Sequence, residues 1–212
     1  MIDPDTPLEL VPFVSVDLET TGLDPRRDEI VEIGAVRVLG GKLVDEWESL
    51  VSVSRGISRP ARLVHGISRE MLEGQPSIDQ ALPKLLEFAG DGALVEHSYE
   101  AFDLRFLEKA NGGDLGLPSL NSYTLSRKLF PFLPAHGLDE CCRRYHILRD
   151  ERHRALSDAR AVGALLVRLL EACYVKYPTL GDVLRVASVG KVVASHKRGA
   201  WAKGGPGRSA SF

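Results

Sequence analysis

Two acidic residues near the start of the chain could do chemistry together. Asp17 and Glu19 lie in the segment Phe13-Val14-Ser15-Val16-Asp17-Leu18-Glu19, whose apolar and polar residues alternate as in a β-strand with one packed face. This spacing places both carboxylates on the same face, with Cα atoms about 6.5 Å apart. Two carboxylates on a central strand are costly unless they are solvated or neutralised, so the alternatives are a solvated strand face and a site for hard divalent cations.

The turn that follows favours the cation site. Thr20, Thr21 and Gly22 turn the chain at once and bring backbone N–H groups and hydroxyls beside the carboxylates. A turn of this kind can hold the phosphate-bearing end of a substrate.

Three segments together resemble the motifs of one enzyme family. The residues Asp17-Leu18-Glu19-Thr20-Thr21-Gly22 are similar to the first motif of the DEDDh 3′→5′ exonucleases, which include the proofreading subunit of bacterial DNA polymerase III. The third motif, His-x-Ala-x-x-Asp-Ala, is matched by residues 153 to 159. The second, His-Asn-Ala-x-Phe-Asp, corresponds to residues 97 to 103, where the Asn is replaced and one residue is added. The resemblance covers residues 13 to 172.

The resemblance implies a catalytic cluster of Asp17, Glu19, Asp103 and Asp158, with His153 beside it. Four carboxylates stay ionised together only if about two divalent cations neutralise them, and an all-oxygen shell suits Mg²⁺ or Mn²⁺. We expect His153 to be the general base, because histidine titrates near neutral pH. The substrate-binding residues implied by the resemblance are Thr20, Thr21, Gly22, Leu23, His65 and Phe102.

Strands and helices that could position these residues follow from the hydrophobic pattern. Strands are predicted at residues 13–19, 30–39, 42–51 and 93–95 and near Leu120, and Gly40-Gly41 allows a tight hairpin. Helices are predicted to start after Ser77 and to cover residues 102–110, 124–130, 138–145 and 155–173. A three-stranded meander followed by alternating strands and helices indicates a mixed sheet. Together with the resemblance, this predicts an α/β, ribonuclease H-like fold with a central five-stranded mixed sheet flanked by helices.

Length and charge suggest one folded domain with flanking segments. The 212 residues are 44% hydrophobic and 26% charged, which excludes two large domains and global disorder. We predict an N-terminal extension at residues 1–12, an exonuclease domain at 13–182 and a flexible tail at 183–212. The tail has six basic residues and no acidic one, so it could contact polyanions or simply be a solubilising end.

Several function classes are less compatible with the sequence. No apolar run is long enough to span a bilayer and the first residues lack a basic signal region, so we expect a cytoplasmic protein without membrane contact. The 3 cysteines have neither disulfide nor zinc spacing.

The leading interpretation is a DNA exonuclease of proofreading or repair type that acts on single-stranded or frayed 3′ ends. An exoribonuclease and a non-catalytic nucleic-acid-binding module remain alternatives. A DNA polymerase is a candidate partner, although the lack of Gln in the tail favours a stand-alone enzyme. The arginines at 143, 144, 149, 152 and 154 could line a path for the phosphate backbone or be solvated.

Overall fold

The computed structural model describes residues 2–188 and contains one mixed sheet of five strands. The strands are β1 (Phe13–Thr20), β2 (Ile30–Leu39), β3 (Lys42–Leu50), β4 (Ala93–Glu96) and β5 (Ser119–Asn121). Their order across the sheet is β3-β2-β1-β4-β5. The first three form an antiparallel meander, whereas β4 runs parallel to β1 and β5 parallel to β4. The predicted α/β fold with a five-stranded mixed sheet is therefore confirmed.

Seven α-helices lie within residues 2–188. They are α1 (Arg59–His65), α2 (Ile78–Ala89), α3 (Phe102–Asn111), α4 (Ser122–Leu129), α5 (Leu138–Tyr145), α6 (Ala155–Cys173) and α7 (Leu180–Ala187). Residues of α2 and α3 pack on one face of the sheet, and residues of α4 to α7 pack on the other. The structure confirms the predicted bounds of α5 and α6, but α1 and α7 were not predicted.

The alternation of β1 decides which face carries the acidic residues. Val14, Val16 and Leu18 belong to the core shared with α2 and α3. Ser15 points the other way, where its hydroxyl donates to the carbonyl of Ala159 in α6 at 2.8 Å. Because side chains alternate along a strand, those at positions 17 and 19 share the face of Ser15 and lie toward α6.

A glycine in β2 lets the first turn of α6 approach the sheet. Gly34 pairs in register with Asp17. A Cβ atom at this position would lie 2.2 Å from the carbonyl carbon of Ala155, the first residue of α6. Since no side chain fits there, glycine allows the first turn of α6, which carries Asp158, to start beside Asp17.

The described residues of both predicted flanking segments, 2–12 and 183–188, take part in the folded structure. In the N-terminal extension, Leu8 and Val11 are buried in the core beside α6 and α7. The predicted boundary at residue 182 falls inside α7, where Val183 is fully buried. Residues 189–212 of the predicted tail lie outside the described residues. In the described part of the chain, none of the helices combines the length and apolar character needed to cross a bilayer.

Candidate active site

Asp17 and Glu19 lie in the part of β1 that extends beyond its pairing with β4. Because β4 pairs with β1 only as far as Ser15, the β4-facing edge of β1 is open beyond that residue. The backbone N–H of Leu18 uses this edge to donate to Oδ1 of Asp103 at 3.1 Å. Asp103 is thereby held next to the strand, between the two predicted ligands from β1.

The first turn of α3, which carries Asp103, is held by a buried carboxylate from β4. Oε2 of Glu96 accepts from the backbone N–H of Asp103 at 3.2 Å and from the hydroxyl of Ser98 at 3.1 Å. Its Oε1 accepts from the side-chain amide of Asn121 at 2.6 Å. Ser98 also accepts from the N–H of Phe102 at 2.7 Å. These bonds satisfy N–H groups that a helix start leaves free, and they fix the position of Asp103.

The first turn of α6 is held in a comparable way from β2. Glu32, which pairs in register with Glu19, has only 2% of its surface exposed. Its carboxylate accepts from the backbone N–H of Ala155 at 2.9 Å and from Nε and Nη2 of Arg154 at 3.1 and 2.7 Å. The helix start that carries Asp158 is therefore joined to the strand next to β1.

Asp158 already has a cationic partner. One carboxylate oxygen accepts from the guanidinium of Arg149, with Nε at 2.9 Å, and the other accepts from the backbone N–H of His153 at 3.3 Å. His153 adopts a positive φ of 61° and its side chain is exposed. Glu19, His153 and Asp158 each offer a ligand atom within 4.8 Å of the others. The structure thus brings the predicted general base next to two of the predicted ligands.

The cluster has an excess of negative charge. Burial raises the pKa of Asp17 well above its usual value, and repulsion from Asp103, Asp158 and Glu19 adds to this. Burial and then Asp158 raise the pKa of Glu19 to about 8. Burial and then Glu96 raise the pKa of Asp103. Carboxylate oxygens in such surroundings fit hard divalent cations, which would compensate the charge.

The turn after β1 is held by bonds within itself. The hydroxyl of Thr20 donates to the carbonyl of Gly22 at 2.6 Å, and the hydroxyl of Thr21 donates to Asp28 at 3.2 Å. A Cβ atom on Gly22 would lie 2.5 Å from the Asp28 carboxylate, so a side chain there would displace this carboxylate from its bond with Thr21. Leu23 is 84% exposed at the turn. The Thr21 side chain is buried and used by the turn, whereas Leu23 is free to contact a ligand.

His65, the last residue of α1, has an unsatisfied donor. Its Nδ1 accepts from the N–H of Ile67 at 3.0 Å, so the proton resides on Nε2. This Nε2 atom is buried and makes no hydrogen bond within residues 2–188. Burial lowers the pKa of His65, whereas the nearby backbone carbonyl of Thr20 and the carboxylate of Glu32 act in the opposite direction. A ligand acceptor would satisfy this N–H, which agrees with the predicted substrate role.

Phe102, the last predicted substrate-binding residue, begins α3. Its ring packs against that of Phe106 with centroids 4.9 Å apart, and it remains partly exposed next to Asp103.

Three important residues were not predicted from the sequence. Glu32 and Glu96 could have been noticed, because each places an acid in an otherwise buried strand. The sequence presents Arg149 only as one member of a basic series. All five arginines of that series pair with carboxylates: residues 143 and 144 with Glu140, 149 with Asp139 and Asp158, 152 with Asp139, and 154 with Glu32. Each of their guanidinium groups thus has an acidic partner, and a role as a path for the phosphate backbone stays a prediction.

Comparisons with known proteins agree with this geometry. The RNase T exonuclease family model matches residues 14–166. DNA polymerase III subunit epsilon of Aquifex aeolicus is 36% identical over 174 residues, which are 80% of this chain and 85% of the relative. DNA polymerase III PolC-type of Thermotoga maritima is 41% identical over 163 residues, which are 75% of this chain but only 12% of the relative.

A solved structure gives the same result for the fold. Exonuclease X, solved in complex with 5′ overhanging duplex DNA, superimposes with a TM-score of 0.68 at 26% identity and covers 81% of this chain and 98% of its own. The ribonuclease H-like fold is therefore confirmed. The chain belongs to the RNase T exonuclease family, of the DEDDh type, whose members depend on divalent metal ions.

Proposed function

We propose that this chain is a 3′→5′ exonuclease that releases 5′-mononucleotides from DNA 3′ ends, of the proofreading or repair type. The observation that carries the proposal is the meeting of four carboxylates from three elements. Asp103 is hydrogen-bonded to β1 between Asp17 and Glu19, while Glu19 and Asp158 approach His153. This set matches all four acidic positions of the family motifs.

Asp17, Glu19, Asp103 and Asp158 would hold two divalent cations, Mg²⁺ or Mn²⁺. When bound, such ions supply activation of water and stabilisation of the charge on the departing 3′ oxygen. The residues around them keep the carboxylates in place, because Glu96 and Glu32 hold the two helix starts.

His153 takes the proton from the attacking water. Its exposed ring is free to turn, while its backbone N–H stays on Asp158. The position just before α6 puts the ring within reach of the reacting water as well as of solvent, which can accept the proton afterwards.

The terminal nucleotide would lie between β1 and α1. The unsatisfied Nε2–H of His65 supplies a donor for it, and the exposed Leu23 can pack against its base. The backbone of the turn at Thr20 to Gly22 faces the 3′ end, and Phe102 completes the pocket beside Asp103. These roles define which end of the strand is degraded.

DNA is favoured as the substrate because Exonuclease X was solved with duplex DNA and the curated relatives are DNA polymerase III proteins. The chain spans about an eighth of the PolC-type relatives, so association with a DNA polymerase is also a proposal. A cytoplasmic location belongs to the same proposal.

A degradation assay tests the activity and the substrate together. Oligonucleotides with labelled 5′ ends are offered with Mg²⁺ as single-stranded DNA, duplex DNA with a 5′ overhang, and RNA of the same sequence. We expect a ladder that shortens from the 3′ end of DNA, no products with Asp17→Asn, and full activity with Asp91→Asn, an exposed acid before β4. Faster loss of RNA would favour an exoribonuclease, and binding without cleavage would favour a binding module.

A further inference from the structure

A cleft of about 430 Å³ opens beside the loop that leads into Asp103. Its walls include Tyr99, Tyr123 and Arg127, and its other side is formed by Leu133 and His136 together with prolines. The lining is thus aromatic, apolar and basic, without an acidic residue among those that line it. It lies outside the carboxylate cluster, and none of the roles assigned above uses it.

The arrangement of the side chains suits a planar ligand with a negative charge. Tyr99 is 72% exposed. The rings of Tyr99 and Tyr123 meet edge to face, with centroids 5.8 Å apart and planes at 79°. The guanidinium of Arg127 lies 6.0 Å from the centroid of the Tyr123 ring. Exposed aromatic faces stack with nucleobases, and an adjacent arginine attracts the phosphate.

The cleft lies at the same edge of the sheet as the carboxylates. β1, β4 and β5 are parallel, so their carboxyl ends share one edge. Tyr99 lies in the loop after β4, four residues before Asp103, and Tyr123 is the second residue of α4, which follows β5 directly. Since β5 is two strands away from β1, the separation across the sheet is about 10 Å. A strand whose end occupies the cluster can reach this distance with its neighbouring nucleotides.

The wall of the cleft is held by histidine hydrogen bonds. Nε2 of His97 donates to the carbonyl of His136 at 2.8 Å, and its Nδ1 pairs with the hydroxyl of Ser122 at 2.8 Å. Nδ1 of His136 pairs with the hydroxyl of Ser126, also at 2.8 Å. These bonds tie β4, α4 and the loop at residues 130–137 together. A wall fixed in this way loses little freedom when a ligand binds.

The loop that presents Tyr99 is also the place where this chain departs from its family. The segment between His97 and Asp103 has one residue more than the family motif, and Ala101 takes up a left-handed conformation with φ 58°. Tyr99 lies in this loop before α3, and its side chain is exposed. A subsite here would accordingly be a feature of this chain.

We propose that the cleft is a nucleobase subsite that stacks a nucleotide of the substrate strand upstream of the one being removed, with Arg127 facing its phosphate. The inference rests on the proposed exonuclease activity and adds a second point of contact for the strand. It assigns no part of the chemistry to the two tyrosines. Their effect is on substrate affinity.

The test compares substrates with and without an upstream base. The substrates are a single-stranded DNA, the same strand with an abasic penultimate nucleotide, and the p-nitrophenyl ester of thymidine 5′-phosphate, which has no upstream nucleotide. We expect Tyr99→Ala to raise the KM for the intact strand about tenfold with unchanged kcat. The abasic strand should show the same rise with the wild-type protein and no further rise with the variant. Hydrolysis of the ester should not change.

Three further variants make the test specific. Arg127→Gln should raise the KM of both strands, because it loses the phosphate contact, and Tyr123→Phe should behave as wild type, because the ring remains. Phe132→Ala serves as the matched control, since Phe132 is 97% exposed in the neighbouring loop but does not line the cleft.

Two results would overturn the inference. One is an unchanged KM for the intact strand in Tyr99→Ala. The other is a loss of inhibition by free thymidine 5′-monophosphate in Tyr99→Ala that equals the rise in KM, which would make the cleft a site for the released nucleotide. If the wild-type protein hydrolyses neither the strands nor the ester, the result would instead contradict the proposed function.

Discussion

The two helices that bring acidic residues to β1 are anchored by the same device with a different charge balance. At α3, the buried Glu96 accepts from a hydroxyl, an amide and a backbone N–H. At α6, the buried Glu32 accepts from a backbone N–H and a guanidinium. Burial raises the pKa of Glu96 to about 7. Glu32, in contrast, forms an ion pair with Arg154.

The predicted metal ligands on the two helices also differ in how their charge is compensated. Asp103 receives a hydrogen bond from Leu18 but lies beside the acidic Glu96. Asp158 is paired with Arg149. The α3 side therefore keeps uncompensated negative charge, while the α6 side is largely neutralised by arginines of the chain. Added cations are therefore needed mainly on the α3 side, where they would compensate the negative charge of the carboxylates.

The largest expected effects come from removing one ligand on each side. Asp103→Asn and Asp158→Asn should each lower hydrolysis on the order of 10³-fold, because several kcal/mol of charge stabilisation are lost. Their effects on metal-free stability should differ in sign. Asp103→Asn keeps the bond from Leu18 and relieves repulsion, so its urea midpoint should stay equal or rise. Asp158→Asn leaves Arg149 without its buried partner and should lose about 2 kcal/mol.

If Asp103→Asn and Asp158→Asn destabilise the protein equally in EDTA, the proposed difference in charge balance between the α3 and α6 sides is wrong. Asp91→Asn again serves as the control, because this acid is exposed and lies before β4, at the opposite end of that strand.

Substitution of the two anchors should show the same asymmetry. Glu32→Gln removes the charge that pairs with Arg154 and should cost about 3 kcal/mol of unfolding free energy. Glu96→Gln keeps an acceptor for the N–H of Asp103 but turns an amide toward Asn121, and should cost about 1 kcal/mol. Chemical denaturation of both variants measures the difference. A larger cost for Glu96→Gln would show that the charge on Glu32 is not what anchors α6.

Acid should weaken the contacts between β4, α4 and the loop at residues 130–137 through His97. Burial lowers the pKa of His97 from 6.5 to about 4, and the neighbouring His136, whose pKa burial also lowers, opposes its protonation. The unfolded chain therefore binds a proton that the folded protein does not. This contribution to stability is complete above pH 6.5 and is lost as the pH falls toward 4, by at most about 3 kcal/mol.

Unfolding free energies measured from pH 7 to pH 4 test this dependence. The slope should be smaller in His97→Gln, which can still donate to the His136 carbonyl. An unchanged slope in that variant would assign the acid sensitivity to other groups.

An effect as small as that of Glu96→Gln is expected at the start of α3. Ser98→Ala removes the acceptor for the N–H of Phe102 and one donor to Glu96, which should cost about 1 kcal/mol. Hydrogen exchange at the first turn of α3 should increase, while that of α6 stays unchanged. Faster exchange in both helices would mean that the two sides are not independent.

The fold followed from local patterns wherever these were long or well punctuated. β2, α5 and α6 have the predicted bounds because their apolar periodicity is clear and their ends are marked by turns or breakers. The short helix α1 begins at Arg59-Pro60 and has no buried stripe that sequence periodicity could show. Part of α7 falls in the predicted tail, because its one basic residue, Arg185, begins the run without acidic residues, although its apolar face packs in the core.

For the site, the sequence motifs predict the functional residues but not the contacts that hold these residues in place. The pairing of Asp103 with Leu18 joins residues 85 positions apart, and that of Glu32 with Ala155 joins residues 123 positions apart. Such contacts depend on strand order and on close approach at Gly34, neither of which the local sequence reveals. For the same reason, Arg149 could not be recognised as the partner of Asp158.

The central claim is that the fold assembles Asp17, Glu19, Asp103 and Asp158 into one site for divalent cations, and calorimetric titration with Mn²⁺ tests it most directly. We predict about two ions bound per chain for the full-length protein, and a clear loss of binding in Asp17→Asn, since this side chain lies between the α3 and α6 sides. Asp91→Asn should bind as wild type. No Mn²⁺ binding by the wild-type protein, or undiminished binding by Asp17→Asn, would contradict the account.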